Sequence, residues 1–238
     1  MDASSAPHPA TPATRTEQAD TPAGPARISW YGASRPRSVL ALGHGAGGGI
    51  EAADLAALAA ALPPAGVVVA LVEQPWRVAG RKLAPAPATL DTAWTALWPA
   101  LAAPGLPVVA GGRSAGARVA CRTAERLGAA AVLALAFPLH PPGRPESSRA
   151  AELTAAAAAL PLLTVQGGHD PFGRPGEFPS GQEPVEVPYA DHGFGVPKRA
   201  DITQEAALTV LTRAVADWLA GLGHAEPRTA VTASPPRE

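Results

Sequence analysis

A chain of 238 residues is long enough for one sizeable domain around a single core. Its hydrophobic fraction of 47% suits a packed globular protein. A charged fraction of 16% and a formal net charge of -1 exclude the basic stripe of a nucleic-acid binder and the polybasic patch of a lipid-surface protein.

The residues Met1 to Ala26 are rich in Pro, Ala and Thr and almost free of large apolar side chains. They bury too little surface to offset their ordering entropy, so a disordered tail is expected over 1–26. They also lack the basic and apolar regions of a secretory signal. Residues 224–238 have the same composition, which leaves a folded domain over 27–223. Within it Ile28 to Tyr31 reads as an edge strand and Ser38 to Leu42 as a short apolar strand ending in glycines. Glu51 to Leu62 places Leu55, Leu58 and Leu62 at helical spacing. Val67 to Val72 is β-branched and wholly apolar, the pattern of a strand covered on both faces. Thr89 to Leu101 is a helix, Pro107 to Ala110 a strand, Ala115 to Leu127 a helix and Ala131 to Phe137 a strand. Ser147 to Leu160 is a helix, Leu162 to Gln166 a strand and Val185 to Val187 a last short strand. Asp201 to Leu222 closes the domain as an amphipathic helix. This alternation predicts an α/β fold, a doubly wound and mainly parallel sheet. Ligands of such sheets bind beyond the carboxyl ends of the strands.

The single cysteine, Cys121, excludes an intrachain disulfide and reads as a small buried residue in a helix. No stretch reaches the roughly 18 apolar residues of a spanning helix, so a cytoplasmic chain without a membrane partner is expected. Lysine occurs only at Lys82 and Lys198 and asparagine not at all, which reflects codon bias rather than function.

The strand ends carry the chemistry. Gly112-Arg113-Ser114-Ala115-Gly116 follows a strand and opens a helix, the setting of a G-x-S-x-G nucleophile elbow. The alternative is a glycine–serine turn that caps a helix. The loop Gly43 to Gly49 can present backbone N–H groups to an oxyanion, with the N–H of Ala46, beside Gly45, partnered by that of Ala115. The same loop also matches G-x-G-x-x-G, with Glu73 at the end of the next strand, so a dinucleotide-binding reading competes. No G-K-[ST] follows, which excludes a P-loop. Asp170 closes a strand in Gln166-Gly167-Gly168-His169-Asp170, where a carboxylate can orient a histidine or merely cap a turn. His192, in Asp191-His192-Gly193-Phe194, is the candidate general base, with His140 as its rival. Asp191 is a weaker candidate for the acid, because consecutive side chains point in different directions. The order Ser114, Asp170, His192 along the chain is that of the α/β-hydrolase triad.

The segments GHGAGGG, GGRSAGARVA, FPLHPPGRPE, VQGGHDPFG and DHGF-x-VPKR, in that order, resemble a branch of the α/β-hydrolases. It is the branch related to dienelactone hydrolases that includes testis-expressed proteins and a subunit of the nuclear NSL acetyltransferase complex, and whose bacterial members are small stand-alone proteins. The resemblance runs from about Ser38 to Trp218. It implies an α/β-hydrolase fold, a nucleophile at Ser114, an acid at Asp170, a base at His192, an oxyanion loop around Gly45 and Ala46, and no cofactor or metal. It names no substrate, and some relatives are scaffolds rather than enzymes.

These readings converge on a serine hydrolase that cleaves an ester or similar acyl bond through an acyl-enzyme. No stretch between motifs is long enough for a separate lid domain. The Pro-rich segments Gln74 to Pro87 and His140 to Ser148 are the expected pocket walls, which favours a small-molecule acyl substrate. Trp76, Arg81, Arg113 and His140 are the candidates for substrate contact, the arginines through an anionic group. The competing classes are a non-catalytic interaction module and a dinucleotide-binding protein. Oligomeric state is not legible.

Overall fold

The apolar runs become the strands of one eight-stranded sheet in a computed structural model that describes residues 13–222. In chain order the strands are β1 (Arg15–Thr21), β2 (Gly24–Tyr31), β3 (Ser38–Gly43), β4 (Val67–Glu73), β5 (Val108–Arg113), β6 (Ala131–Leu135), β7 (Leu162–Gly167) and β8 (Val185–Val187). The helices are α1 (Ala53–Ala61), α2 (Pro75–Val78), α3 (Pro87–Ala102), α4 (Ala115–Thr123), α5 (Ala150–Ala159) and α6 (Gln204–Leu222). Across the sheet the order is β1-β2-β4-β3-β5-β6-β7-β8. From β4 to β8 every adjacent pair is parallel, whereas β1 and β2 form an antiparallel hairpin laid antiparallel against β4.

Parallel strands need crossovers, and the crossover helices cover both faces. On β3, Leu40 and Leu42 pack with Leu55 and Leu58 of α1 and Leu211 and Val215 of α6. The alternate residues Val39 and Ala41 pack with Leu90, Trp94 and Leu97 of α3. Further along, Val132, Ala134 and Phe137 meet Ala117 and Ala120 of α4 and Leu153 of α5. Cys121 lies in that last cluster, and burial pushes its thiol up to about 12, so it is a packing residue. Among the described residues no lid domain covers the strand ends, and no helix is long and apolar enough to cross a membrane.

The expected tail over 1–26 is corrected for residues 13–26. They are folded, and the domain begins before residue 27. Their order comes from a partner rather than from their own hydrophobicity. All seven residues of β1 pair with β2, from Arg15 opposite Trp30 to Thr21 opposite Gly24. Trp30 Nε1–H donates to Glu17 Oε1 at 2.9 Å, and the Arg15 guanidinium lies 5.1 Å above the Trp30 ring, a cation–π distance. The hairpin turn places Gly24 at φ +109°, where a β-carbon would be strained. Thr21 Oγ1 donates to the Gly24 carbonyl there and accepts from the Ala23 N–H. The remaining tail expectations, over 1–12 and 224–238, fall outside the described residues.

Smaller differences are local. The helix expected to run to Leu127 ends at Thr123, and the one expected from Ser147 starts at Ala150. The expected wall segment after β4 contains the one-turn helix α2.

Candidate active site

Three strand ends meet at the site. At the end of β5 the chain reverses at Ser114, with φ 53° and ψ −110°. Positive φ at a non-glycine residue stores about 1–3 kcal/mol of strain and persists only where the surroundings impose it. Here the Ser114 N–H extends the β5–β6 ladder to the Leu135 carbonyl (2.9 Å), and its carbonyl accepts from the Arg118 N–H (3.1 Å) as α4 begins. The flanking glycines are steric necessities. A β-carbon on Gly112 would stand 2.6 Å from the Gly43 carbonyl oxygen, and one on Gly116 would collide with the same carbonyl.

The candidate base, His192, comes from the loop after β8. His192 Nε2 lies 2.9 Å from Ser114 Oγ, and His192 Nδ1 lies 2.8 Å from Asp170 Oδ2. A carboxylate only accepts, so Nδ1 carries the proton and Nε2 is free to accept from the serine hydroxyl. Phe172 stacks on the imidazole, ring centroids 4.1 Å apart. Asp191, the weaker candidate acid, does not reach the ring. Its Oδ1 accepts from the N–H groups of Gly193 and Gly195 and so shapes the base loop.

The candidate acid, Asp170, sits after β7 and is fully buried. Asp170 Oδ2 accepts from Gln166 Nε2 (2.8 Å) as well as from His192, and Oδ1 accepts from the Phe172 N–H (2.8 Å). Gln166 is itself held by the Gly173 carbonyl. The acid and base loops touch backbone to backbone, because the His169 N–H donates to the Ala190 carbonyl and a β-carbon on Gly167 would collide there.

The glycine loop after β3 passes over Ser114. A β-carbon on Gly45 would stand 3.3 Å from Ser114 Cβ. The N–H groups of Ala46 and Ala115 have no hydrogen-bond partner among the described residues. His44 fixes the loop from below: Nδ1–H donates to the Gly45 carbonyl (2.8 Å), and Nε2 accepts from the Gln74 N–H (3.1 Å). Burial lowers its pKa, so the ring is neutral and both contacts stand. The Gly45 carbonyl and the Ala46 N–H belong to one peptide, so binding the first aims the second the opposite way. The dinucleotide reading loses its acid here, since Glu73 is paired with Arg27 at 2.8 Å.

The residues expected to touch substrate divide. Arg113 is only 15% exposed and two of its guanidinium nitrogens face protein groups. Its Nη2 donates to the His192 carbonyl (2.9 Å), and its Nε stands 3.5 Å from Asp54 Oδ2. His140 is removed as a rival base. It is bonded to the Pro141 carbonyl and to Glu177, both at 2.9 Å, and these partners raise its pKa and favour the cation. Trp76 and Arg81 line a cavity of about 390 Å³ with Gln74, Pro75, Thr89 and Leu90. No triad residue lines that cavity, and Trp76 adjoins the glycine loop through its ring contact with His44, 4.9 Å between centroids. Sequence reasoning missed Phe172 and Asp54. The signal for Asp54 was its spacing of four from Leu58, which puts an acid on the buried face of α1.

A family model described as an alpha/beta hydrolase domain matches residues 36–220. Among curated protein sequences nothing matches. Among solved structures, an alpha-beta serine hydrolase homologue from Coxiella burnetii is 16% identical with a TM-score of 0.68, covering 88% of this chain and 99% of that one. A dienelactone hydrolase from Anabaena variabilis is 18% identical with a TM-score of 0.66, covering 87% and 96%. A serine hydrolase without lid from Xanthomonas campestris is 20% identical with a TM-score of 0.62, covering 89% and 98%. These likenesses agree in fold with the lidless sheet described above, and the family match over most of the sequence settles where it falls: the chain belongs to the alpha/beta hydrolase domain family.

Proposed function

We propose that this hydrolase cleaves an ester or similar acyl bond of a small substrate, with Ser114 as nucleophile, His192 as general base and Asp170 as its orienting acid. The observation that carries the reading is the continuous relay from Ser114 Oγ to His192 Nε2 (2.9 Å) and from Nδ1 to Asp170 (2.8 Å), mounted on a strained elbow. In the first half-reaction His192 takes the Ser114 proton as Oγ attacks the acyl carbon. Negative charge builds on the acyl oxygen, beside the unpaired N–H groups of Ala46 and Ala115. The tetrahedral intermediate collapses as His192 protonates the leaving alcohol, leaving an acyl-Ser114 ester. Water, deprotonated by the same imidazole, then attacks that ester, and Ser114 recovers its proton. Asp170 orients the imidazole and stabilises the imidazolium formed in each half. The short loops at the site favour a small substrate, and Arg81, exposed on the wall of the cavity that Trp76 also lines, is the candidate to meet an anionic group.

The test is hydrolysis of p-nitrophenyl esters by the purified chain and by Ser114→Ala. The variant should lose turnover while keeping the wild-type melting temperature. Wild-type turnover in Ser114→Ala would remove the nucleophile from the account and favour a non-catalytic module.

A further inference from the structure

Asp54 is a buried acid that the triad chemistry leaves unused. It lies in the first turn of α1 and is 0% exposed, and neither carboxylate oxygen has a side-chain hydrogen-bond partner among the described residues, its nearest donors being the main-chain N–H groups of Asp54 and Leu55. Buried polar atoms are almost always satisfied, and exceptions gather at functional sites. The charged group that faces it is the Arg113 guanidinium, at 3.5 Å, whose Nε is equally without a hydrogen bond. Burial pushes the Asp54 carboxyl up to about 6, while Arg113, then the main-chain N–H groups of Leu55 and Asp54, and last His192 pull it back.

The guanidinium stands at the junction of the catalytic loops. Arg113 precedes the nucleophile in the elbow, and its Nη2 donates to the main-chain carbonyl of His192. Its Nη1 lies 3.4 Å from where a β-carbon on Gly45 would be, against the glycine loop, and Nη2 lies 3.4 Å from that position on Gly193. One planar group therefore touches the elbow, the oxyanion loop and the base loop, with Asp54 behind it. The base loop has need of such a tie, because Tyr189 and Phe194 both hold positive φ there.

We propose that Asp54 and Arg113 form a positioning pair for the base: Asp54 anchors the guanidinium, and the guanidinium holds the His192 carbonyl so that the imidazole stays aligned between Ser114 and Asp170. The inference rests on the serine-hydrolase reading above. Neither residue touches the reacting atoms, and both act through His192. A loosened imidazole makes Ser114 less reactive without changing the surface that binds the acyl group, so the loss belongs in kcat.

The experiment compares the wild-type chain with Asp54→Asn, Arg113→Gln, the double variant and Arg113→Lys, using p-nitrophenyl acetate, thermal melts and the downfield proton NMR signal of His192 Nδ1–H. Each single substitution should lower kcat by about 10²-fold, the cost of a small misplacement at a reacting centre, with KM nearly unchanged. The double variant should be no worse than Arg113→Gln, because Asp54 acts through Arg113. Arg113→Lys should recover part of the loss, and the imidazole signal should shift or broaden in Asp54→Asn. Asp54→Asn should melt no lower than wild type at neutral pH. Losses that multiply in the double variant, or that follow a falling melting temperature, would assign the pair to scaffolding and overturn the inference. Ser114-dependent hydrolysis that Asp54→Asn leaves intact would overturn it alone. Hydrolysis that Ser114→Ala does not remove would overturn the serine-hydrolase reading and this inference together.

Discussion

The centre of the sheet and its hairpin edge are built on opposite terms. At the centre, β3 and β5 bring Gly43, Gly112 and Gly116 so close that backbone lies against backbone and no side chain fits between. At the edge, β1 exposes alternate side chains and is held by its ladder to β2 and by the Trp30 contacts. Packed backbone has few ways to relax, so the centre can hold Ser114 in a strained conformation. The edge carries no such strain and serves to close the sheet beside β4. The difference teaches that changes at the centre should act on chemistry and fold together, and changes at the edge on fold alone.

The largest break in that comparison should come from Gly116→Ala. Its new methyl group meets the Gly43 carbonyl, a backbone atom that cannot swing away. We expect a loss of about 3 kcal/mol, at the upper end of overpacking costs, together with loss of esterase activity because the elbow must move. A denaturant titration and an ester assay check both. Full activity would show that the glycine loop can retreat.

Deleting residues 1–26 should act mainly on the edge, although it also removes Ala23, Gly24 and Pro25 from the cavity wall that carries Arg81. It removes β1 and the start of β2, uncovers Trp30 and leaves β2 as a bare edge strand. A loss on the order of 2 kcal/mol would lower the melting temperature of a chain this size by about 4–8 °C. Soluble protein should keep wild-type kcat, though aggregation should rise with concentration. An unchanged melting temperature would show that the hairpin contributes nothing to the fold.

Those two regions also differ in what the sequence disclosed. The elbow, the acid turn and the base loop were legible because close backbone approach and sharp turns leave local marks: Gly112 and Gly116 around Ser114, and glycines beside Asp170 and His192. The buried strands were legible from their apolar runs. β1 was not, because RTEQADT has no hydrophobic signature and its order depends on a partner strand. Asp54 and Phe172 were hidden for a related reason. Each acquires its role from residues far along the chain, Arg113 for the first and His192 for the second. The part assigned to Arg113 changed for the same cause, since its neighbours in space were needed to see that its charge is already engaged.

A further expected effect separates stability from catalysis at the centre itself. The Asp54 carboxyl is raised from its ordinary 3.8 to about 6, so the folded chain holds that proton more tightly than the unfolded chain. Its contribution to stability is present at low pH and is lost as pH rises through about 6. The melting temperature of wild type, measured against Asp54→Asn in the same buffers, should therefore fall as pH increases from about 4 to 7 and level off above that. A difference that does not vary with pH would mean that Asp54 keeps an ordinary carboxyl in the folded chain.

The reactivity of the Ser114 hydroxyl is the central property, and a fluorophosphonate probe reads it without knowledge of the substrate. Incubation of the purified chain followed by peptide mass mapping should place one label, on Ser114. His192→Ala and Asp170→Asn should slow labelling by about 10⁴-fold, as expected for a triad whose base is lost or misoriented, while His140→Ala labels at the wild-type rate. A label on any other residue, or labelling of Ser114 that does not depend on His192, would contradict the account.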